Sequence, residues 1–197
     1  MNFRVLAGLC PLLASALLVA CADRPKSDSG ESVPSVSAGK LTKSAVTLPA
    51  VPRDEAARAA LPAAERAKID ESFVPVLVPR AAATDVHLVV EAGFYAYSGR
   101  IDAKLGDGRT SVATIAIQGN RFGHEHPDFP KDVSTHTFRG TRGLFTINEG
   151  ITTATWAENG ATYSVDVECS LSEDTRCQDE SFVLELTKSL AFVGGRP

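Results

Sequence analysis

Ile151-Thr-Thr-Ala-Thr-Trp156-Ala-Glu-Asn-Gly160-Ala-Thr-Tyr163-Ser-Val-Asp-Val167-Glu-Cys169 decides the fold. Asn159-Gly160 is the strongest short hairpin signal, because a two-residue type I′ turn needs positive φ at both central positions. Such a turn sets Trp156 opposite Tyr163, Ala154 opposite Val165 and Thr152 opposite Val167. The intervening pairs are Thr155 with Ser164 and Thr153 with Asp166. One face is apolar and the other polar, as in an antiparallel sheet packed on one side. A second turn at Glu149-Gly150 sets Ile147 opposite Thr152 and Phe145 opposite Ala154, extending the same face, whereas a three-residue loop would break the parity.

Further strands are expected over 86–91, 94–101, 111–118, 135–139 and 144–148, with Gly106-Asp107-Gly108 as a turn. Residues 177–193 read as a helix, with Phe182, Leu186 and Leu190 at i, i+4, i+8, Val183 and Val193 beside them, and Gly194-Gly195 to stop it. Its stripe matches the face of Phe145, Ile147, Trp156, Tyr163, Val165 and Val167, so the expected class is α+β: an antiparallel β-sheet with a C-terminal helix packed on one face. Short helices precede the sheet. Over 54–71, Asp54 is placed to cap, Arg66 and Asp70 are spaced i,i+4, and Pro62 splits the segment into two. The run 73–79 carries Pro75 and Pro79 four apart; it reads either as an edge strand, with both missing donors on one side, or as an extended polyproline connector.

The whole chain has 197 residues, 44% hydrophobic and 22% charged, enough for one modest domain with extensions. With 20 Lys+Arg against 24 Asp+Glu the balance is acidic, which argues against a protein that grips nucleic acid through a basic face. The one strongly apolar stretch, 5–20, is sixteen residues long, short of the roughly 20 a spanning helix needs. It follows a short n-region carrying Arg4 and ends in Leu18-Val19-Ala20-Cys21.

That ending resembles the lipobox of the bacterial lipoprotein signal at all four positions. The resemblance implies cleavage after Ala20, a diacylglyceryl thioether on Cys21, and acylation of the new amino group. Several acyl chains, at about 0.8 kcal/mol per buried CH₂, make an effectively permanent anchor. Ala22 directly after the lipidated cysteine favours outer-membrane sorting in that family. The expected domains are therefore a signal peptide over 1–20, a lipidated flexible tether over 21–53, and a single globular domain over 54–197. The tether reading rests on composition, since 22–53 holds six Ser, four Pro, two Gly and no aromatic residue. The mature chain carries 19 basic and 24 acidic side chains, a formal charge of −5, which argues against polybasic attraction to lipid.

Cys169 falls on the apolar face by parity and Cys177 opens the expected helix. In an oxidising compartment the two are expected to form a disulfide, closing a nine-residue loop worth roughly 2.5 kcal/mol. The stretch Trp156-Ala-Glu-Asn-Gly160-Ala-Thr-Tyr163-Ser-Val165, with a helix ending Lys188-Ser189-Leu190, resembles the closing hairpin and helix of periplasmic sigma-factor-regulator and lipoprotein-carrier proteins (RseB-like and LolA-like). This resemblance covers about 40 of the 197 residues and implies fold alone.

Candidate chemistry is sparse. His124-Glu125-His126, with Asp128 nearby, could present two imidazoles to one metal, with His136 or His87 as a third ligand; the preferred reading is a polar loop held rigid by Pro127 and Pro130. Arg139-Gly-Thr-Arg142-Gly reads as an anion-holding turn or a solvated one. No nucleophile elbow, Walker loop, dinucleotide fingerprint or His-Glu-x-x-His is present. The expectation is an envelope lipoprotein, membrane-bound through its lipid anchor and facing the periplasm, whose domain binds or scaffolds an envelope protein. No catalytic residue, cofactor or metal is expected. The competing readings are a carrier of lipid or another hydrophobic ligand and a metal-dependent hydrolase using the His124/His126 loop.

Overall fold

The computed structural model describes residues 40–125 and 136–196. In chain order the elements are β1 (Lys40–Lys43), α1 (Glu55–Ala60), α2 (Ala63–Ile69), β2 (Val76–Pro79), β3 (Thr84–Glu91), β4 (Phe94–Lys104), β5 (Thr110–Asn120) and β6 (Phe122–Glu125). Then follow β7 (His136–Phe138), β8 (Thr141–Asn148), β9 (Ile151–Glu158), β10 (Ala161–Cys169), α3 (Ser181–Ser189) and β11 (Leu190–Gly194). Seven strands form one antiparallel sheet in the order β3-β4-β5-β10-β9-β8-β7. The fold is α+β, with two short helices before the sheet and α3 packed on one face.

The sheet is two meanders joined at the β5-β10 seam. One meander is set by three X-Gly turns ten residues apart: Arg139-Gly140, Glu149-Gly150 and Asn159-Gly160 have φ of 50/85°, 51/83° and 53/78°. These positive pairs match the sheet twist and fix two-residue loops. The expected pairs follow: Trp156 opposite Tyr163, Val165 opposite Ala154, Phe145 opposite Ala154 and Ile147 opposite Thr152.

The inner face is filled by aromatic side chains. Trp156 stacks on Tyr163 with ring centroids 5.6 Å apart, and Phe138 and Tyr95 flank that pair at 5.9 and 6.5 Å. Gly119 on β5 makes room for this layer, because a Cβ there would overlap the Tyr95 ring.

The C-terminal region departs from the expected helix over 177–193. A 3-10 turn spans Thr175–Cys177, α3 covers only Ser181–Ser189, and Leu190–Gly194 is a strand paired antiparallel with β2. Leu190-Ala-Phe-Val193 is apolar at every position and fully buried; a helix would have turned part of it to water, whereas a two-sided buried strand does not. Strand β2 is thereby paired on one side. On the other side Pro75 and Pro79 lack donors, and the one remaining amide, Leu77 N–H, donates to Tyr95 Oη at 3.0 Å. Tyr163 Oη–H donates to the Pro75 carbonyl at 3.0 Å. The buried phenol of Tyr95 is pushed up by desolvation, so it stays neutral and serves as a fixed polar rivet.

Around this core the peripheral contacts are specific. Asp54 caps α1 by accepting from Ala57 N–H at 2.9 Å. Asp70 is engaged by Arg58 at 2.7 Å, and Arg66 reaches the Ala59 carbonyl, so the Arg66/Asp70 spacing is not the pairing used. On α2 the buried Glu65 accepts from Leu88 N–H at 2.7 Å while its neighbour Lys68 donates to the Leu88 carbonyl at 2.8 Å. A Glu-Lys pair thus closes the outward backbone groups of Leu88, in the middle of edge strand β3, where a neighbouring chain would otherwise add.

Part of the stretch expected to be a flexible tether, 40–53, is held on the domain. Strand β1 pairs with β6, Ser44 N–H donates to Arg121 O, Thr47 N–H to Asn159 O and Asp54 N–H to Phe192 O. At Gly160 a side chain would strike the Ala45 carbonyl. Low aromatic content disfavours a core, but backbone pairing to a preformed partner needs no aromatic residue.

Candidate functional site

The outer face of the sheet carries the residues that the inner layer leaves behind by parity. Register across the strands places Ser98, Ala116, Asp166, Thr153 and Thr146 in one row. The next row is Ala96, Gln118, Ser164, Thr155 and Leu144. Among the described residues no helix or strand layer packs on this side. Its small hydroxyl, amide and carboxylate groups therefore present donors and acceptors to solvent. Thr153 Oγ1 donates to Asp166 at 2.7 Å, which fixes the carboxylate on the surface. Thr114, Ala116, Asn148, Ile151, Thr153, Asp166 and Glu168 line a shallow depression of about 400 Å³ there.

A second concavity, about 520 Å³, lies where 51–55 meets Arg80, Arg139, Lys188, Leu190 and Phe192. Its cations are already committed. Arg139 donates to Glu158 at 2.7 Å and to the Leu190 carbonyl at 2.8 Å, and Trp156 Nε1–H donates to the same Glu158 at 3.0 Å. Arg80 pairs with Asp54 at 2.8 Å. The Ala57 amide first, and then Arg80, holds the Asp54 carboxyl below its ordinary value. This is a structural bracket around β11, and the anion-holding reading of the Arg139 turn loses its guanidinium to Glu158.

His87 and His136 stand far apart. His87 lies on β3 and His136 on β7, the two edges of the seven-stranded sheet, roughly 29 Å apart at ~4.8 Å per strand. They cannot complete one site together. His136 Nε2 is 2.7 Å from Glu180 and its ring packs against Phe138 and Phe145. His124 pairs through its backbone with Leu41, while His126 and Asp128 lie outside the described residues, as does Cys21. Among the described residues no group of three or more His, Cys, Asp or Glu is placed to hold a metal, and no helix is long and apolar enough to cross a membrane.

Cys169 and Cys177 form a disulfide, with Cα atoms 6.0 Å apart. Just before Cys177, Asp174 is buried and bound by Arg176, whose guanidinium also donates to the Ile101 and Ser111 carbonyls at 2.8 and 3.1 Å. The Arg176 side chain holds the Asp174 carboxyl far below the carboxylate range. Disulfide and ion pair together pin the connection between β10 and α3. Sequence reasoning missed this pair, and it missed the contribution of Thr114, Ala116 and Gln118 to the outer face. The alternation within each strand was readable; which strand lay beside β10 was not.

No protein-family model, no curated protein and no solved structure matches this chain.

Proposed function

We propose that this protein is a lipid-anchored envelope lipoprotein whose domain binds or scaffolds a periplasmic protein partner through the outer face of its sheet, without catalysis. The anchor reading rests on Leu18-Val19-Ala20-Cys21. The observation that carries the binding reading is the contrast between a filled inner face and an outer face with no packed layer among the described residues. A hydrophobic carrier would need free volume between sheet and helix, where Trp156, Tyr163, Tyr95 and Phe138 sit instead. A hydrolase would need converging ligands, and among the described residues no group of three or more His, Cys, Asp or Glu is placed to hold a metal.

Site-specific photocrosslinking in the intact envelope tests this. A photoreactive residue at Thr114 or Thr155 should capture one discrete protein, whereas one at Gly106, in the β4-β5 turn, should not. Equal labelling from all three positions, or stoichiometric metal in the purified protein, would refute the proposal. The anchor is checked separately: Cys21→Ser should give an unprocessed or soluble protein.

A further inference from the structure

The segment 40–53 crosses one end of the sheet. Its hydrogen bonds run from Arg121, just after β5, to Asn159 at the β9-β10 turn, and Asp54, directly after the segment, donates its N–H to Phe192 O on β11. This is the end that also holds the Ala92-Gly93 and Arg139-Gly140 turns. Among the described residues six large apolar side chains are exposed, and three of them lie here: Leu41 at 58%, Leu48 at 48% and Val51 at 55%. The segment carries Lys40, Lys43 and Arg53 and no acid, with Glu125 across from Lys40 and Asp70 3.7 Å from Arg53. The opposite end of the sheet bears Asp102, Asp107, Glu149, Glu168, Glu173 and Asp179 against Arg100, Lys104 and Arg109. The molecule is therefore polarised along its strands, with three exposed aliphatic side chains on an acid-free segment at one end, and an excess of acid with Ile147 as its exposed aliphatic at the other. The aliphatic end is also where the chain leading back to Cys21 enters, and 19 residues cannot span more than about 65 Å.

We propose that the segment 40–53 is a membrane seat, in which Leu41, Leu48 and Val51 enter the headgroup boundary of an anionic phospholipid bilayer and Lys43 and Arg53 face its phosphates. The inference rests on the lipoprotein reading of Cys21. Apolar burial supplies the adhesion, the charge asymmetry sets which end faces the lipid, and the outer face then stands perpendicular to the membrane, open to a partner.

The mature lipidated protein has its remaining cysteines in the disulfide, so one added thiol can be labelled alone. Leu48→Cys and, separately, Asp107→Cys carry an environment-sensitive dye in vesicles of phosphatidylethanolamine and phosphatidylglycerol at three to one. The label at 48 should shift to the blue and be quenched by nitroxide lipid; the label at 107 should do neither. Leu41→Ser with Val51→Ser should abolish the shift at 48 while the protein stays vesicle-bound. If both labels report water on an acylated chain, the seat is wrong and the anchor stands. A blue shift that persists in detergent and grows with protein concentration would assign the surface to a second copy of the chain and overturn the seat. An N-terminal peptide of unacylated mass would remove anchor and seat together.

Discussion

The two faces of the seven-stranded sheet are built from the same strands and differ only in which parity of residues they receive. On the inner face the odd positions of β10 (Tyr163, Val165, Val167) lie in a buried aromatic and aliphatic layer; on the outer face the even ones (Ser164, Asp166, Glu168) meet solvent. A one-residue slip would exchange the two sets. Stability and function are thus assigned to opposite sides of one backbone, and substitutions at adjacent residues should have very different costs.

The sharpest test is Trp156→Ala against Thr155→Ala. Removing the indole opens a cavity at the centre of the aromatic stack and deprives Glu158 of a donor, at about 3–5 kcal/mol. Thr155→Ala should stay within about 0.5 kcal/mol. Urea denaturation of both variants measures the difference, and comparable losses would mean that the outer face is packed too.

The inner face of β10 ends at Cys169, whose bond to Cys177 carries the chain across to α3. Replacing both cysteines by serine should cost about 2–3 kcal/mol, since the short loop regains its freedom in the unfolded chain. Native near-ultraviolet dichroism should persist at low denaturant, because Arg176 still binds Asp174 and the Ile101 carbonyl. Loss of the native signal in buffer alone would show that the disulfide, not the packing, holds α3 on the sheet.

What was legible from the sequence divides along the same physical line. The turns Glu149-Gly150 and Asn159-Gly160 encode their registers within a few residues, so the hairpins from β8 to β10 could be read locally. The β5-β10 seam depends on contacts between distant segments, which no turn residue announces. Leu190-Ala-Phe-Val193 failed because an all-apolar run satisfies helix and buried strand alike; the arbiter was β2, whose prolines left it needing a partner on one side only. Composition over 40–53 reports the capacity to form a core and not the capacity to pair with one, so the pairing of β1 with β6 leaves no sign in it.

The edge between the two faces offers a pH-dependent test. Glu65, whose carboxyl is held below its ordinary 4.5 chiefly by Lys68 and then by the Leu88 amide, favours folding when ionised. Its folded pKa is depressed, so this contribution is fully present above the unfolded value and is lost as the pH falls through the folded one. Glu65→Gln should cost about 1–2 kcal/mol at pH 7, where the carboxylate accepts a buried amide. Below pH 4 the gap between wild type and variant should shrink. A gap that is constant from pH 7 to pH 3 would mean that shape, not charge, makes Glu65 close the β3 edge.

The smallest effect on stability is expected where the largest effect on binding lies. Thr153 donates to Asp166 on the outer face, with both groups half-buried among their strand neighbours and neither beneath a packed layer. Thr153→Val with Asp166→Asn keeps volume and β-propensity while removing the hydroxyl and the negative charge. Unfolding free energy should move by no more than about 0.5 kcal/mol, since the lost bond is solvent-accessible and water replaces it. Partner capture from Thr114 should nevertheless fall, because the carboxylate that Thr153 orients is one of the two anionic groups lining the depression, with Glu168. Undiminished capture would shift the recognition surface away from this row, towards Gln118 and Ser164. A large loss of stability would instead refute the assignment of this parity to the solvent side, and with it the division of labour between the two faces.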